Sequence, residues 1–472
     1  MRILSTDPLF AWEKLPDSPD LIALASLLDM LGDQPLLQAL RAHRGKGRND
    51  YPVHVLWRTH VTHYLLRHGA MQQCLAELGR NPALRRVVGI EEGQGVPDAC
   101  NMSRFLEVLG QPQHLRLIDA MFEDLARRLA AEVPDLGRDL AGDSAALSAR
   151  KSRTPQEGGA ADGTGATLPQ PAGGRKEYRD DAGKLVRSFE WHGYKFHLLV
   201  DVKHEVILAR HVTAAAGEGT GDNSVLGLLL EKAQRVLPEG RIKSLAYDKA
   251  ADDVKTHELL DEQGIKPLIQ IRSLLKDETE QKLPGHDGNS NVVYDEAGTL
   301  FCYDTVSAVP VKHKMSYVGY EKGRGTLKYR CPARHEGLAC ASDARCNGCS
   351  SYGKTVRVKC ELDLRRFPPI PRATLEFERR YKGRTAIERV NARIKIFWGA
   401  DDGNVTGPAR FHAHLGTVMV VHAVMANWLA TQPRYEGKSL SPTRMSQIAR
   451  KLARAGQSGP PAVPAGDCLT LT

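Results

Sequence analysis

Residues 376–397 contain four side chains that could act together on a phosphodiester. These four fall within about 60° of one another around an α-helix: Tyr381, Arg384, Glu388 and Lys395. The segment has seven Lys or Arg and three Glu, and a separate apolar stripe predicts the face that packs against the protein. A carboxylate among cations suits a metal ligand beside a nucleic-acid backbone, because cations bind phosphates. The alternative is a solvated basic helix with ordinary ion pairs between its own side chains.

Two more carboxylates accompany short apolar runs upstream. Asp143 lies within LAGDSAAL, residues 140–147, and Asp248 ends the strand-like run RIKSLAYD, residues 241–248. Acids at the ends of neighbouring strands can meet at one edge of a sheet and hold a divalent cation through oxygen ligands. The alternative is that both acids only cap turns at strand ends.

The spacing Tyr-x2-Arg-x3-Glu-x6-Lys resembles, without a gap, the Y-R-E-K signature of DDE transposases encoded by bacterial insertion sequences. Asp143, which is followed by Ser, is similar to the first catalytic Asp of that family, and Asp139 is its rival. Asp248 is similar to the second, in a pattern usually written D-K-x-Y-D. Here Ala251 stands where Tyr is common, and Asp252 matches the last position.

This resemblance covers about 137–431 well and 50–110 loosely, and it implies a metal-dependent DNA transposase. The core would be ribonuclease H-like, with Asp143 on the first strand, Asp248 at the end of the fourth and Glu388 on a later helix. These acids would hold two Mg²⁺ ions, for which Mn²⁺ can substitute. Water would free a 3′-OH at the transposon end, and that hydroxyl would attack target DNA.

The resemblance also implies partners and roles for the neighbouring side chains. Arg384 and Lys395 would bind phosphates or steady Glu388, and Tyr381 would position DNA. The expected partner is double-stranded DNA, bound by a homodimer on paired transposon ends. Two alternatives remain open: a catalytically silent DNA-binding relic of a transposase, and a ribonuclease H-like nuclease that only hydrolyses.

The elements that must position these residues fall into five expected segments. Residues 1–132 predict a helical DNA-binding domain, in which a helix-turn-helix would place Arg104 near a groove; a helical packing or dimerisation module is the alternative. Residues 137–271 alternate strands and helices, and 376–431 supply two further helices, so together they predict an α/β core with a mixed sheet flanked by helices. Residues 432–472 predict a basic helix and a disordered tail.

Within the first part of the core, three local predictions can be checked individually. Residues 150–181 are rich in Gly, Pro and charge and predict a long mobile loop. Two β-like runs, 194–201 and 205–214, predict a hairpin. Residues 223–237 have helical spacing, with Asp222 expected as the N-cap.

An insertion, residues 272–375, separates the two parts of the core and contains a cysteine cluster. Five of the nine cysteines lie between 331 and 360. Four of them suggest a structural Zn²⁺ site: Cys331, Cys340, Cys346 and Cys349. Their spacing is not that of a standard zinc ribbon, so a set of reduced cysteines is the alternative.

Composition sets the broad class. The chain has 472 residues, a net charge of +9, 42% hydrophobic and 26% charged residues, which excludes wholesale disorder. No run of 18 apolar residues or secretory signal is evident, so we expect a cytoplasmic, nucleoid-associated protein with no membrane partner. The basic balance makes a polyanionic partner plausible.

Overall fold

The computed structural model describes seven stretches of the chain: 18–46, 49–150, 168–180, 184–272, 280–284, 291–402 and 405–442. Most of the predicted loop at 150–181 and the predicted C-terminal basic helix and tail therefore lie outside the described residues.

Seven helices precede the sheet in the described part of the chain, which confirms the helical N-terminal segment that the sequence predicts. They are α1 Pro19–Asp29, α2 Gln34–Arg44, α3 Val53–Leu65, α4 Met71–Arg80, α5 Pro82–Val88, α6 Ala99–Leu109 and α7 Pro112–Glu132. Proline occupies the first or second position of α1, α2, α5 and α7, where its missing N–H costs nothing. Asn81 caps α5 by accepting a hydrogen bond from the Leu84 amide at 3.1 Å.

A six-stranded mixed sheet follows these helices. Its strands are β1 Asp139–Ser148, β2 Ala172–Arg179, β3 Leu185–Asp201, β4 Ile207–Ala214, β5 Ser244–Tyr247 and β6 Lys266–Ile269. The order is β2-β3-β1-β5-β6, and β4 also pairs with β3. β1 is antiparallel to β3 and parallel to β5, and β5 is parallel to β6. This order confirms the expected ribonuclease H-like sheet.

Two features of the sheet differ from or refine the sequence predictions. The hairpin is confirmed as β3 and β4, but Ala172–Arg179, inside the predicted loop, forms strand β2. It does so by pairing with the first half of β3, a tertiary contact that outweighs the weak strand propensity of its glycines. Asp248 follows β5, the fifth strand in the chain. Without the extra strand β2, this strand is the fourth, as the sequence predicts.

Helices flank this sheet. They are α8 Asp222–Val236, α9 Val254–Glu262, α12 Leu375–Tyr381, α13 Thr385–Ala392 and α14 Pro408–Ala430. The predicted helix 376–397 is interrupted: a 3₁₀ turn, Lys382–Arg384, joins α12 to α13, and a π turn, Arg393–Phe397, ends α13. Gly383 lies in the 3₁₀ turn, where a Cβ would stand 2.8 Å from Val202 Cγ1, so the turn packs directly against the end of β3.

α14 is the only described helix long and apolar enough to cross a membrane, but 94% of its most apolar window is buried inside the protein. Its side chains belong to one contiguous apolar cluster with those of the N-terminal helices and the six-stranded sheet. The six-stranded sheet and the N-terminal helices are therefore packed as one body around α14.

The insertion has a separate apolar core. Its strands are β7 Gln281–Lys282, β8 Val292–Tyr294, β9 Leu300–Tyr303, β10 Lys312–Lys314, β11 Ser316–Glu321, β12 Thr326–Arg330 and β13 Thr355–Lys359, and its helices are α10 Pro332–His335 and α11 Asp343–Asn347. The strands form two small sheets, ordered β10-β9-β8-β7 and β11-β12-β13.

Candidate active site

Two of the predicted acids lie on neighbouring strands at the same level of the sheet. Ala141 of β1 lies opposite Ala246 of β5, and Asp143 and Asp248 each follow two residues later. Gly142 permits this close pairing, because a Cβ there would lie 2.2 Å from the Tyr247 ring. The strand register therefore brings together two acids that are 105 residues apart in the chain.

Asp143 is mostly buried, with 25% of its side chain exposed. Burial raises the pKa of its carboxyl and so does nearby Asp222, while the Ser144 amide, which donates to Oδ1 at 2.8 Å, and Arg384 act in the opposite direction. The net direction is upward, because burial outweighs the interactions that favour the charged carboxylate. Asp248, at the end of β5, accepts the Lys249 amide at 2.6 Å and caps the short turn that follows.

Arg384 connects the third predicted acid to the first. Its Nη2 donates to Glu388 Oε1 at 2.8 Å, one helical turn away, and its Nη1 lies 3.8 Å from Asp143 Oδ2. Burial alone would lower the pKa of Arg384, but the charges of Tyr381, Glu388, Asp143 and Asp248 raise it overall. The guanidinium therefore links Glu388 to Asp143, and the charge of Asp248 acts on it as well.

The remaining predicted site residues occupy different positions. Tyr381 stacks on Phe377 with ring centroids 5.6 Å apart and lies beside Arg384. Lys395, in the π turn, lies 3.5 Å from Asp401 rather than beside Glu388. Arg104 is exposed on α6 and lines a cleft of about 520 Å³ between N-terminal helices, so its DNA contact stays a prediction.

The rival first acid, Asp139, begins β1 and has another partner. Its Oδ1 accepts the Ser244 hydroxyl at 2.5 Å, and Arg380 lies 3.7 Å away. Asp143, and not Asp139, is thus the β1 acid beside Arg384.

Asp222 is a fourth acid at this site that the sequence suggested only as a helix cap. The N-cap is Gly221 and not Asp222, which is the first residue of α8 itself. The Oδ1 atom of Asp222 lies 3.0 Å from Lys195 Nζ and 3.2 Å from His197 Nδ1. Burial would raise the pKa of Asp222, but hydrogen bonds from His197 and Ser144 and the charge of Lys195 lower it. It is therefore held ionised beside the residue that follows Asp143.

The acids fit a divalent cation by donor chemistry. Mg²⁺ prefers carboxylate oxygens, and here the positive charge between Asp143 and Glu388 comes from Arg384. Across the described ranges no three His, Cys, Asp or Glu side chains are gathered closely enough to hold a metal ion. A cation bound by all three acids would thus require their carboxylates to come closer together than they are in this structure.

Because the resemblance to DDE transposases implies that Asp143 is a metal ligand for DNA cleavage, we expect Asp222→Asn to lower the cleavage rate about 10–100-fold, the usual cost of losing a group that supports such a ligand. The amide cannot balance Lys195 or hold Ser144 as strongly, so Asp143 is less firmly positioned. The measurement is the cleavage rate as a function of Mg²⁺ concentration. The Mg²⁺ concentration that gives half of the maximal rate should rise. Glu218→Gln, an exposed acid in the preceding loop, is the control and should behave like wild type.

In the insertion the structure brings together three of the four predicted cysteines. Cys331, Cys340 and Cys346 line one small cavity together with Cys302. Cys349 is exposed and is not part of that lining. Cys302 is 29 residues upstream of Cys331, and no local spacing signals its participation.

Two models of known protein families match this chain. The family model described as "Transposase DDE domain" matches residues 153–424, which include Asp248 and Glu388 and begin after Asp143. A second model, "Transposase domain (DUF772)", matches residues 12–108. No curated protein matches the chain.

Among solved structures, a similar chain belongs to a piggyBac transposase synaptic complex with hairpin DNA, determined by cryo-EM. The two sequences are 11% identical, and the match covers 94% of this chain and 82% of that chain. The TM-score is 0.36. The family match is different in extent, since the DDE model alone spans more than half of the 472 residues. The chain therefore belongs to the DDE transposases of insertion-sequence type.

Proposed function

We propose that this transposase cleaves phosphodiester bonds at the ends of its element and joins the freed 3′-OH to target DNA, using Asp143, Asp248 and Glu388. The observation that supports this most is the position of Arg384, which contacts a strand acid and a helix acid 245 residues apart in the chain. A structural ion pair needs only one of these acids. One cation shared by two acids from separate elements, with the charge of Asp248 also acting on it, points to a functional site.

In this proposal Asp143, Asp248 and Glu388 hold two Mg²⁺ ions, or Mn²⁺ in their place. Two such ions would activate the attacking oxygen and stabilise the leaving oxygen of an in-line displacement. Arg384, released from the carboxylates, would pair with a DNA phosphate, for which its planar fork is well suited. Tyr381, half-buried at the same edge, would position the strand, and Lys395 would extend the cationic surface along the π turn.

The partner in this proposal is double-stranded DNA, both as element ends and as target. We propose that two copies act together on paired ends, that Arg104 contributes to end binding, and that the protein works on nucleoid DNA in the cytoplasm. Phosphate contacts by Lys and Arg make such binding sensitive to salt.

The test is a strand-transfer assay with the full chain, labelled element ends, supercoiled target DNA and Mg²⁺. We expect cleaved ends and end–target joint molecules, both lost when the metal is chelated. End binding without either product would identify a DNA-binding relic, and cleaved ends without joint molecules would identify a hydrolytic nuclease. Each of these two outcomes would refute the proposed reaction.

A further inference from the structure

The cysteines of the insertion come together from four separate places in the chain. Cys302 lies on β9, Cys331 directly precedes α10, Cys340 follows that helix, and Cys346 lies within α11. All four line a single cavity of about 20 Å³. A void of this size is about the volume that a water-sized probe occupies, so it suits a single small ion better than an organic ligand.

Not every buried cysteine of the insertion belongs to this group. Cys360 is buried too, but it packs into the apolar core of the insertion and does not line the cavity.

The segment that supplies three of these thiols has almost no core of its own. Between 331 and 354 only four residues are buried, and none is a large apolar side chain: Cys331, Pro332, Ser342 and Asn347. Short irregular segments with so little buried apolar surface usually need a cross-link or a metal to hold one conformation.

Polar contacts already hold the backbone around the cavity. The side-chain amide nitrogen of Asn347 donates hydrogen bonds to Cys331 Sγ at 3.3 Å and to Asp343 Oδ1 at 2.7 Å. The side-chain oxygen of Asn347 accepts a hydrogen bond from the backbone amide of Lys354 at 2.6 Å. The Ser342 hydroxyl, close to Cys340, donates to Asp304 Oδ1 at 2.5 Å. These contacts fix the loops that carry the sulfurs around the cavity.

We propose that Cys302, Cys331, Cys340 and Cys346 bind one structural Zn²⁺ ion as a four-cysteine site. Four S–H bonds break, four Zn–S bonds form, and the protons are released to solvent. Within the described residues the sulfurs do not form a closed metal group, so binding draws them into the cavity by side-chain rotation. The site ties β9 to the 331–354 segment and differs in one ligand from the set that the sequence suggests.

The test uses the full chain, purified without chelator from cells grown with zinc, and measures zinc content by mass spectrometry. Wild type and Cys349→Ser should each contain one zinc per chain, whereas Cys302→Ser should lose most of it. Zinc-free wild-type protein would overturn the proposal. So would loss of zinc on replacing Cys349 but not on replacing Cys302.

Thiol alkylation of native wild-type protein provides a second measurement, which does not depend on whether Cys302→Ser folds. With zinc bound, Cys349 should be modified rapidly, while the four ligands should react only after a chelator is added. Equal reactivity of Cys302 and Cys349 before chelation would contradict the proposed ligand set.

Discussion

Replacing Glu388 with Gln is expected to lower the rate of DNA cleavage by more than about 100-fold, since even partners of metal ligands typically contribute 10–100-fold. The side chain is 54% exposed, so the substitution should leave the fold intact. The amide keeps the shape and can still accept a hydrogen bond from Arg384, but it cannot supply the negative charge that a divalent ion requires. The measurement is single-turnover cleavage of labelled element ends, with end binding followed in parallel.

Glu378→Gln is a closely matched control for this experiment. Glu378 is exposed on α12 and pairs with Lys382 at 2.8 Å, one turn along the helix, as Glu388 pairs with Arg384. We expect this variant to cleave like wild type. If Glu388→Gln also cleaved like wild type, the assignment of Glu388 would be wrong; if it lost end binding as well, its role would be in the fold or in DNA contact.

The contact between Arg384 and Glu388 could be anticipated from sequence because it is local. A spacing of four residues places two side chains one above the other on a helix, and this survives the irregular turns on either side. The close approach of Val202 to Gly383 could not be anticipated, because Val202 comes from the end of β3. Helical periodicity alone carries no information about such a neighbour.

Contacts between distant segments account for most of what the sequence did not indicate. Asp222 reads as a helix cap, and only the pairing of β1 with β3 brings Ser144 and His197 together beside it. Cys302 is separated from the other cysteines by three strands and their loops, so the cysteine spacing indicated Cys349 in its place. Strand β2 exists because β3 is long enough to pair with it.

Asp252 shows the reverse case, in which a position suggested by the family pattern has a structural role visible only in the fold. Its side chain is fully buried and accepts the Arg272 amide at 2.7 Å and Arg365 Nε at 2.9 Å. Arg372 lies 3.4 Å away, and His257 lies 3.1 Å away. Because these arginines stand at the two ends of the insertion, Asp252 fastens both ends to the loop that follows Asp248.

We therefore expect Asp252→Ala to lower the free energy of unfolding by about 3–5 kcal/mol, the usual cost of leaving buried charges without their partner. Urea denaturation at neutral pH would measure this, with Glu262→Gln, an exposed acid on α9, as a control that should change stability by less than about 0.5 kcal/mol. A loss no larger than that of the control would show that the insertion is anchored by other contacts.

The same interaction makes a prediction about pH. Burial would raise the pKa of Asp252, but hydrogen bonds from His257, the Arg272 amide and Arg365, with the charge of Arg372, lower it overall. A carboxyl whose pKa is lower in the folded state stabilises the fold fully above its unfolded pKa of about 3.9, and this contribution is lost as the pH falls through the folded pKa. The difference in unfolding free energy between wild type and Asp252→Ala should thus stay constant from pH 7 to about pH 5 and narrow below about pH 4. If this difference in unfolding free energy instead widened as the pH falls, Asp252 would be protonated in the folded protein. Its ion pairs with Arg365 and Arg372 could not then anchor the insertion.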